Sequence, residues 1–395
     1  MWTRVGWAAA CFAAILGFSR LAYGALVPPM RHELGGSYAL YGAIGGANLV
    51  GYLSGTLLAT RLGRRADRSR VNAFALGAMC LTMAASGLVR ETLELGILRF
   101  LVGATSGVAL ALTLSLAVER ISPARRGLAA AIVWGGGSLG IALVGAASIA
   151  LPLTVPGAWR AQWIAMALVG ALCATVFARL TGGAFAAAER RDDGGAIGLF
   201  DPARYLPLTL GYFCFGFGYI DVVTFFGAEL LRTRTLPPGA AWIALGLAGL
   251  AGAAAWGPLI DRYRSGGSVA LACGLCMLGS LVAVLPGAAF ALAGASAIGF
   301  SFIGVPAMIG ALLQQREPAD RYPRAFASMT SFLGIGQILG PLTGGVLADR
   351  FGTTGAVLAG AVMLAIAASL VSRYRFPAEG ADVVRVSSRR RRSCA

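Results

Sequence analysis

The sequence contains no lysine; all 33 basic residues are arginine, set against 17 acidic ones. It holds a single histidine, His32, in a short loop where it reads as a solvated residue. A histidine proton relay inside a membrane is thereby excluded, and no H-E-x-x-H metalloprotease motif occurs. No G-x-x-x-x-G-K-[ST] phosphate loop occurs either, which argues against ATP-driven work. Charge is scarce overall, at 13% of residues, where soluble domains average about 25%. The seven cysteines form no disulfide framework: six lie in apolar runs and Cys394 lies in the tail. Cys273 and Cys276 make a C-x-x-C, but with no second pair and no nearby histidine it reads as structural. Nothing here implies a metal or a cofactor, and a membrane-embedded enzyme would need a polar catalytic cluster that the sequence lacks.

What the chain has is apolar sequence, at 57% of residues. It comes in runs of about 20, enough helix to cross a bilayer's hydrocarbon core. The runs fall near 5–29, 39–62, 71–89, 92–118, 127–151 and 159–180. After a polar stretch they resume near 205–230, 239–260, 268–286, 289–313, 325–347 and 353–374. The expectation is an all-α integral membrane protein with twelve transmembrane helices in two pseudo-symmetric six-helix bundles. Residues 1–180 and 205–376 form the bundles, 181–204 a cytoplasmic linker and 377–395 a basic cytoplasmic tail. The first run is too long for a signal-peptide core of about 7–15 residues.

Arginine placement sets the orientation. Loops on the side of the N-terminus carry Arg61, Arg64, Arg65, Arg125, Arg126, Arg190, Arg191 and others, and the tail ends in Arg389 to Arg392. The opposite side carries only Arg31, Arg90, Arg160, Arg232, Arg234 and Arg350. The positive-inside rule then puts both termini in the cytoplasm, of a bacterial inner membrane on the reading adopted here. The net charge of +16 does not indicate nucleic acid, because the arginines are dispersed in short loops rather than gathered on one basic module. The tail reads as a solvated end that touches anionic headgroups.

Three formal charges fall well inside the runs: Arg20, Arg99 and Asp221. Each costs about 2.5–3.5 kcal/mol at a helix centre, and an intramembrane charge is a functional candidate by default. At about 1.5 Å per residue the three lie at a similar depth. Leu16, Arg20 and Tyr23 share one side of the first run. In the seventh, Phe213, Phe217, Asp221 and Phe225 form a stripe with Thr224 beside the acid. The two runs echo each other, GFSRLAY from Gly17 and GFGYIDV from Gly216, with Arg20 opposite Tyr219. An arginine and a tyrosine facing an acid framed by aromatics suits a small organic anion, since guanidinium grips carboxylate bidentately. Asn48 and Gln337 are lesser cavity candidates. Gly336, Gly340, Gly344 and Gly345 recur at about four-residue spacing around Pro341, and Gly135, Gly136, Gly137, Gly140 and Gly145 cluster in the fifth run. Small residues at this spacing let helices approach closely.

Several short motifs occur in order: TLLATRLGRR (56–65), RFLVG (99–103), GPLIDRYR (257–264) and GIGQILGPLTGG (334–345), which continues into GGVLADRFG (344–352). Together, on twelve spans, they resemble the major facilitator superfamily across about residues 5–375. GFSRLAYGALVPPMRHELG is similar to its YbfB/YjiJ-type branch. Thr56 and Thr60 depart from the glycine and the acid of the family's first loop, whereas Gly257, Asp261 and Arg262 keep the second. The resemblance implies a secondary transporter working by alternating access, monomeric and proton-coupled, with helices 1, 4, 7 and 10 lining a central cavity. It implies a charge latch at Asp261 and Arg262. Substrate contact then falls to Arg20, Tyr23, Arg99, Phe217, Tyr219, Asp221, Thr224 and Phe225, and coupling to Asp221 and Arg99. Close helix packing falls to Gly336, Gly340, Pro341 and Gly344. A drug or metabolite efflux antiporter of the same fold, and a non-transporting sensor or scaffold, remain alternatives.

Overall fold

A computed structural model of the chain describes residues 1–65, 67–122, 125–182, 205–233, 236–263, 265–318 and 321–374. Among the described residues its regular elements are all helices. The first half holds α1 (Trp2–Leu34), α2 (Tyr38–Arg65), α3 (Arg68–Ser86), α4 (Thr92–Val118), α5 (Arg126–Ala150) and α6 (Ala158–Thr181). The second holds α7 (Leu206–Thr233), α8 (Pro238–Tyr263), α9 (Gly266–Ala283) and α10 (Ala288–Gln314). The last helical stretch, Tyr322–Ser372, breaks at Gly352 (φ 76°, ψ 171°) and divides there into α11 (322–351) and α12 (353–372). Nine of the helices counted with that stretch undivided are long and apolar enough to cross a membrane. The linker and the basic tail expected at 181–204 and 377–395 lie almost wholly outside the described residues.

Local sequence explains the ends and the irregularities. Gly35 (φ 73°) closes α1 in a conformation that side chains resist. Asp67 caps α3 by accepting a hydrogen bond from the Ser69 N–H at 2.9 Å. Helix α10 is interrupted at Ile303, between Ala288–Phe302 and Gly304–Gln314. Inside α1, Ala13–Leu21 is π-helical, an irregularity that tends to mark functional positions. Outward-facing side chains such as Phe74 and Leu81 are 78% and 72% exposed. That is the pattern expected where hydrocarbon, not water, is the solvent.

In lipid no hydrophobic force drives one helix onto another, so close backbone approach does the work. One tight seam joins α2 to α4. A Cβ at Gly51 or Gly55 would meet the Phe100 or Ala104 carbonyl. One at Gly103 or Gly107 would meet the Asn48 or Tyr52 carbonyl. Two small-residue stripes thus interlock reciprocally. Gly136 and Gly140 pack in the same way on Ala9 and Ala13, and Gly336 and Gly340 on Phe213 and Phe217.

The two halves touch along α1 with α7, α2 with α11, and α5 with α8. The closest points lie toward the face opposite the N-terminus. Gly24 meets Val223, Gly42 meets Pro341, and Gly145 meets Gly239. At that face the Asp349 carboxylate of α11 accepts hydrogen bonds from the Tyr38 and Ala39 N–H groups at 2.7 and 2.9 Å, capping α2 across the two halves. Exposure follows the same gradient. Leu16 and Arg20 of α1 are half-exposed, whereas Tyr23, further toward the opposite face, is buried. Phe213 and Phe217 of α7 are half-exposed, whereas Asp221 and Phe225 are buried.

The α2–α4 seam gives a direct test. Gly103→Val should lower the thermal unfolding midpoint of detergent-purified protein, since overpacking a tight contact costs about 1–3 kcal/mol. Gly77→Val serves as the control, because a Cβ there meets nothing within 4 Å. Equal midpoints for the two variants would contradict the seam.

Candidate functional site

Arg20 lies in the π-helical part of α1, where the two halves meet. Its Nη2 donates to Gln337 Oε1 of α11 at 2.5 Å, and its guanidinium stands 4.7 Å over the ring of Tyr52 in α2. Its Nε, although buried, has no hydrogen-bond partner. The other end of the Gln337 amide donates to the Tyr219 hydroxyl of α7 at 2.5 Å. Tyr219 is stacked between Phe215 (4.9 Å) and Phe302 (5.8 Å), the latter just before the interruption of α10 at Ile303. Gln337 and Tyr219 are buried, while Arg20 and Tyr52 are reachable. The result is one cation with an unused N–H, one amide bridge and a ladder of aromatic rings, drawn from both halves. A small anion with a flat apolar body has matching chemistry.

The echo between the two halves is visible here in physical form. Arg20 and Tyr219, which fall opposite each other in the aligned sequences, hold the two ends of one amide.

Arg99 is placed elsewhere. It is fully buried inside the first half. Its Nη1 donates to the Ser19 carbonyl of α1 at 3.0 Å and its Nη2 to Ser86 Oγ of α3 at 3.3 Å. Its guanidinium lies 4.2 Å over the Trp163 ring of α6. Asn48 Nδ2 in turn donates to the Arg99 carbonyl at 2.8 Å, joining α2 to α4. Arg99 therefore braces four helices and does not face Arg20's site. The carbonyl it holds lies within the π-helical segment, one residue before Arg20.

Asp221 does not pair with Arg20. Its carboxylate points between α11 and α12, against Gly344 and Gly360, where a Cβ on Gly344 would overlap it. It is 0% exposed and neither oxygen has a hydrogen-bond partner. The i, i+4 stripe of Phe213, Phe217 and Asp221 packs in order on Gly336, Gly340 and Gly344 of α11, so Asp221 meets small residues at 344 and 360 instead of Arg20. Tyr23 also turns from the site: its hydroxyl donates to the Tyr41 carbonyl at 2.7 Å. Thr224 Oγ1 donates to the Ile220 carbonyl at 2.6 Å, and Phe225 packs edge-on against Tyr38. Phe217 lies on α7 beside the site and packs its backbone on Gly336 and Gly340. Pro341 packs on Gly42 and Gly45. Asp261 and Arg262 fall in α8, but their side chains lie outside the described residues.

The sequence reading gave no role to Tyr52, Phe215 or Phe302. It also passed over a fourth embedded charge, Glu229, eight residues beyond Asp221 on α7. Glu229 is fully buried and paired with Arg232 at 2.6 Å, and it accepts hydrogen bonds from Thr353 and Thr354 at the start of α12. It lies one residue from the end of the run 205–230, outside the set of charges well inside the runs; the Thr-Thr pair after Gly352 was the available signal.

Known proteins with matching sequence or fold agree with this architecture. The chain is 28% identical to a gallate transporter of Pseudomonas putida over 380 residues, covering 85% of this chain and 84% of that one. Among solved structures it superimposes on the inward-open xylose transporter XylE from E. coli with a TM-score of 0.76 at 14% identity, over 96% and 98% of the two chains. A bacterial homologue of the human lysosomal transporter Spinster, inward-facing and unoccupied, gives 0.74 at 15% identity, over 94% and 96%. The family model described as the uncharacterised MFS-type transporter YbfB matches residues 12–372, and the chain belongs to that family of membrane transporters.

Proposed function

We propose that this protein carries a small organic anion, an aromatic carboxylate in particular, across the bacterial inner membrane by alternating access. The observation that carries the proposal is Arg20: a reachable guanidinium with an unsatisfied Nε, at the junction of the two halves, faced by Tyr52, Gln337 and the Tyr219 ladder. The resemblance to a gallate transporter supports the same substrate class. With Arg99 walled into the first half, Arg20 is the one embedded guanidinium at the junction among the described residues, so the site balances a single negative charge. Residues 1–180 and 205–376 act as the two rocking bodies of a monomer. With the termini in the cytoplasm, the contacts of Gly24, Gly42, Gly145 and Asp349 close the outer side, and the half-exposed stripes of α1 and α7 face the cytoplasm.

Asp221 is the proposed proton site. Among the described residues nothing donates to its carboxylate, and an ionised carboxylate buried without donors is very costly. The neutral acid is therefore the form that fits this packing. Charge becomes tolerable when α11 and α12 part from α7 and water enters. One proton on Asp221 and one anion on Arg20 make a transport cycle that moves no net charge. The nearest acid along α7, Glu229, is engaged by Arg232, Thr353 and Thr354 and is not available for this role.

In proteoliposomes Arg20→Gln should reduce gallate flux by about 30-fold or more, the size expected when a charge pair loses one partner, with the protein still monodisperse. Undiminished flux would remove Arg20 from the site. Asp221→Asn should abolish the stimulation of uptake by an imposed pH gradient while gallate exchange persists; gradient-driven uptake that survives would rule it out as the proton carrier. Arg99→Gln should act on the scaffold, lowering the unfolding midpoint while gallate affinity of the folded fraction stays at the parent value.

A further inference from the structure

We propose that Gln337 is a built-in stand-in for the substrate's carboxylate, holding Arg20 while the carrier is empty and yielding when the anion arrives. This rests on the reading of Arg20 as the anion contact. The Gln337 side chain is 4% exposed and both ends of its amide are used. Oε1 accepts from Arg20, and Nε2 donates to Tyr219. Arg20 and Tyr52 belong to the first half of the chain, Gln337 and Tyr219 to the second. The hydrogen bond that engages the guanidinium at Nη2 therefore bridges the two bodies that must rock.

The chemistry of an amide suits this task. A guanidinium left without partners in the membrane interior carries a large desolvation penalty, so an empty site needs an acceptor of its own. An acidic side chain would supply one, but the ion pair would compete with the substrate and fasten the halves together. An amide oxygen offers one neutral acceptor. A carboxylate offers two charged ones in the planar geometry that guanidinium matches, and charge-assisted bonds are roughly twice as strong as neutral ones. Exchange of amide for carboxylate is thus downhill. The displaced amide keeps two N–H donors, and one can turn toward the bound carboxylate while Tyr219 accepts the other. The guanidinium is never left bare, whether loaded or empty, and the empty carrier can pass through its reorientation.

Two consequences separate this role from simple packing. A carrier without the stand-in still reorients when loaded but not when empty, so exchange survives and net uptake does not. A carrier with a charged stand-in does neither. The experiment is gallate transport in proteoliposomes, with net uptake and counterflow exchange measured side by side. Gln337→Met preserves length and loses the acceptor; the ratio of net uptake to exchange should fall by about tenfold or more, the scale of one hydrogen bond to a charged group. Gln337→Glu should lose both modes and abolish gallate-induced thermal stabilisation, while raising the unfolding midpoint of the empty protein. That rise should vanish in the Arg20→Gln background.

If net uptake and exchange fall together in Gln337→Met, or neither changes, the stand-in role is overturned. It is likewise overturned if Gln337→Glu binds gallate as the parent does. Arg20→Gln separates the anion site from the stand-in. Gallate binding that survives in that variant removes the anion site itself. Binding lost there, alongside an unchanged uptake-to-exchange ratio in Gln337→Met, leaves the site standing and removes only the stand-in.

Discussion

A guanidinium in a membrane-spanning helix cannot be left without partners, and the structure answers that demand in two different ways. Arg99 is given permanent ones: a backbone carbonyl, a hydroxyl and an indole face, from α1, α3 and α6. All are neutral and all belong to the first half, so they move with it. Arg20 is given partners from both halves, an amide on α11 and a ring on α2, while each of the two guanidinium groups leaves its Nε without a hydrogen bond. The first arrangement resists change and the second invites it. Ser19 ties the two together, since the carbonyl held by Arg99 belongs to the residue before Arg20. The π-helical turn that contains both is thereby fixed at its back and free at its front.

Glycine stripes make this geometry reachable. Helices separated by ordinary side chains would leave α11 too far from α1 for a hydrogen bond between Gln337 and Arg20. The seams at Gly336 and Gly340 on α7, and at Gly42 on Pro341, bring α11 into place from both sides. Asp349 then fixes its far end by capping α2, an arrangement in which a carboxylate meets the positive end of a helix. The scaffold is assembled from close backbone contacts because the bilayer supplies no stronger force between apolar helices.

Much of the fold was legible from the sequence, because hydropathy and arginine spacing report directly on what a bilayer tolerates. The run at 92–118 coincides with α4, and others agree within a few residues at each end. The correspondence of Arg20 with Tyr219 was also legible, since it follows from residue counting. Direction was not. Whether Asp221 turns toward Arg20 or toward Gly344 depends on which neighbouring helix offers room, and that is a property of α11 and α12 rather than of α7. The Arg20–Gln337 bond joins positions 317 apart, a distance at which periodicity carries no information. The π-helical turn had no signal either, because Gly17 and Ser19 are common in ordinary membrane helices.

Helix α11 joins the separate features into one mechanical unit. Along a single face and its flanks it carries Gln337 at Arg20, Gly340 on Phe217, Pro341 on Gly42, Gly344 over Asp221 and Asp349 on the start of α2. Gln337 and Gly344 are seven residues apart, two helical turns. A movement that draws α11 away from α7 must therefore uncover the Asp221 carboxylate and pull the Gln337 amide from Tyr219 in the same step. Movement of the two halves apart at the α2–α11 seam must break the Asp349 cap and the hold on Arg20 together. The proposed proton site, the proposed anion site and the Asp349 closure thus need no long pathway to influence one another. A rigid helix with all three on its surface is a sufficient physical link, and its glycines are what let the three be so close.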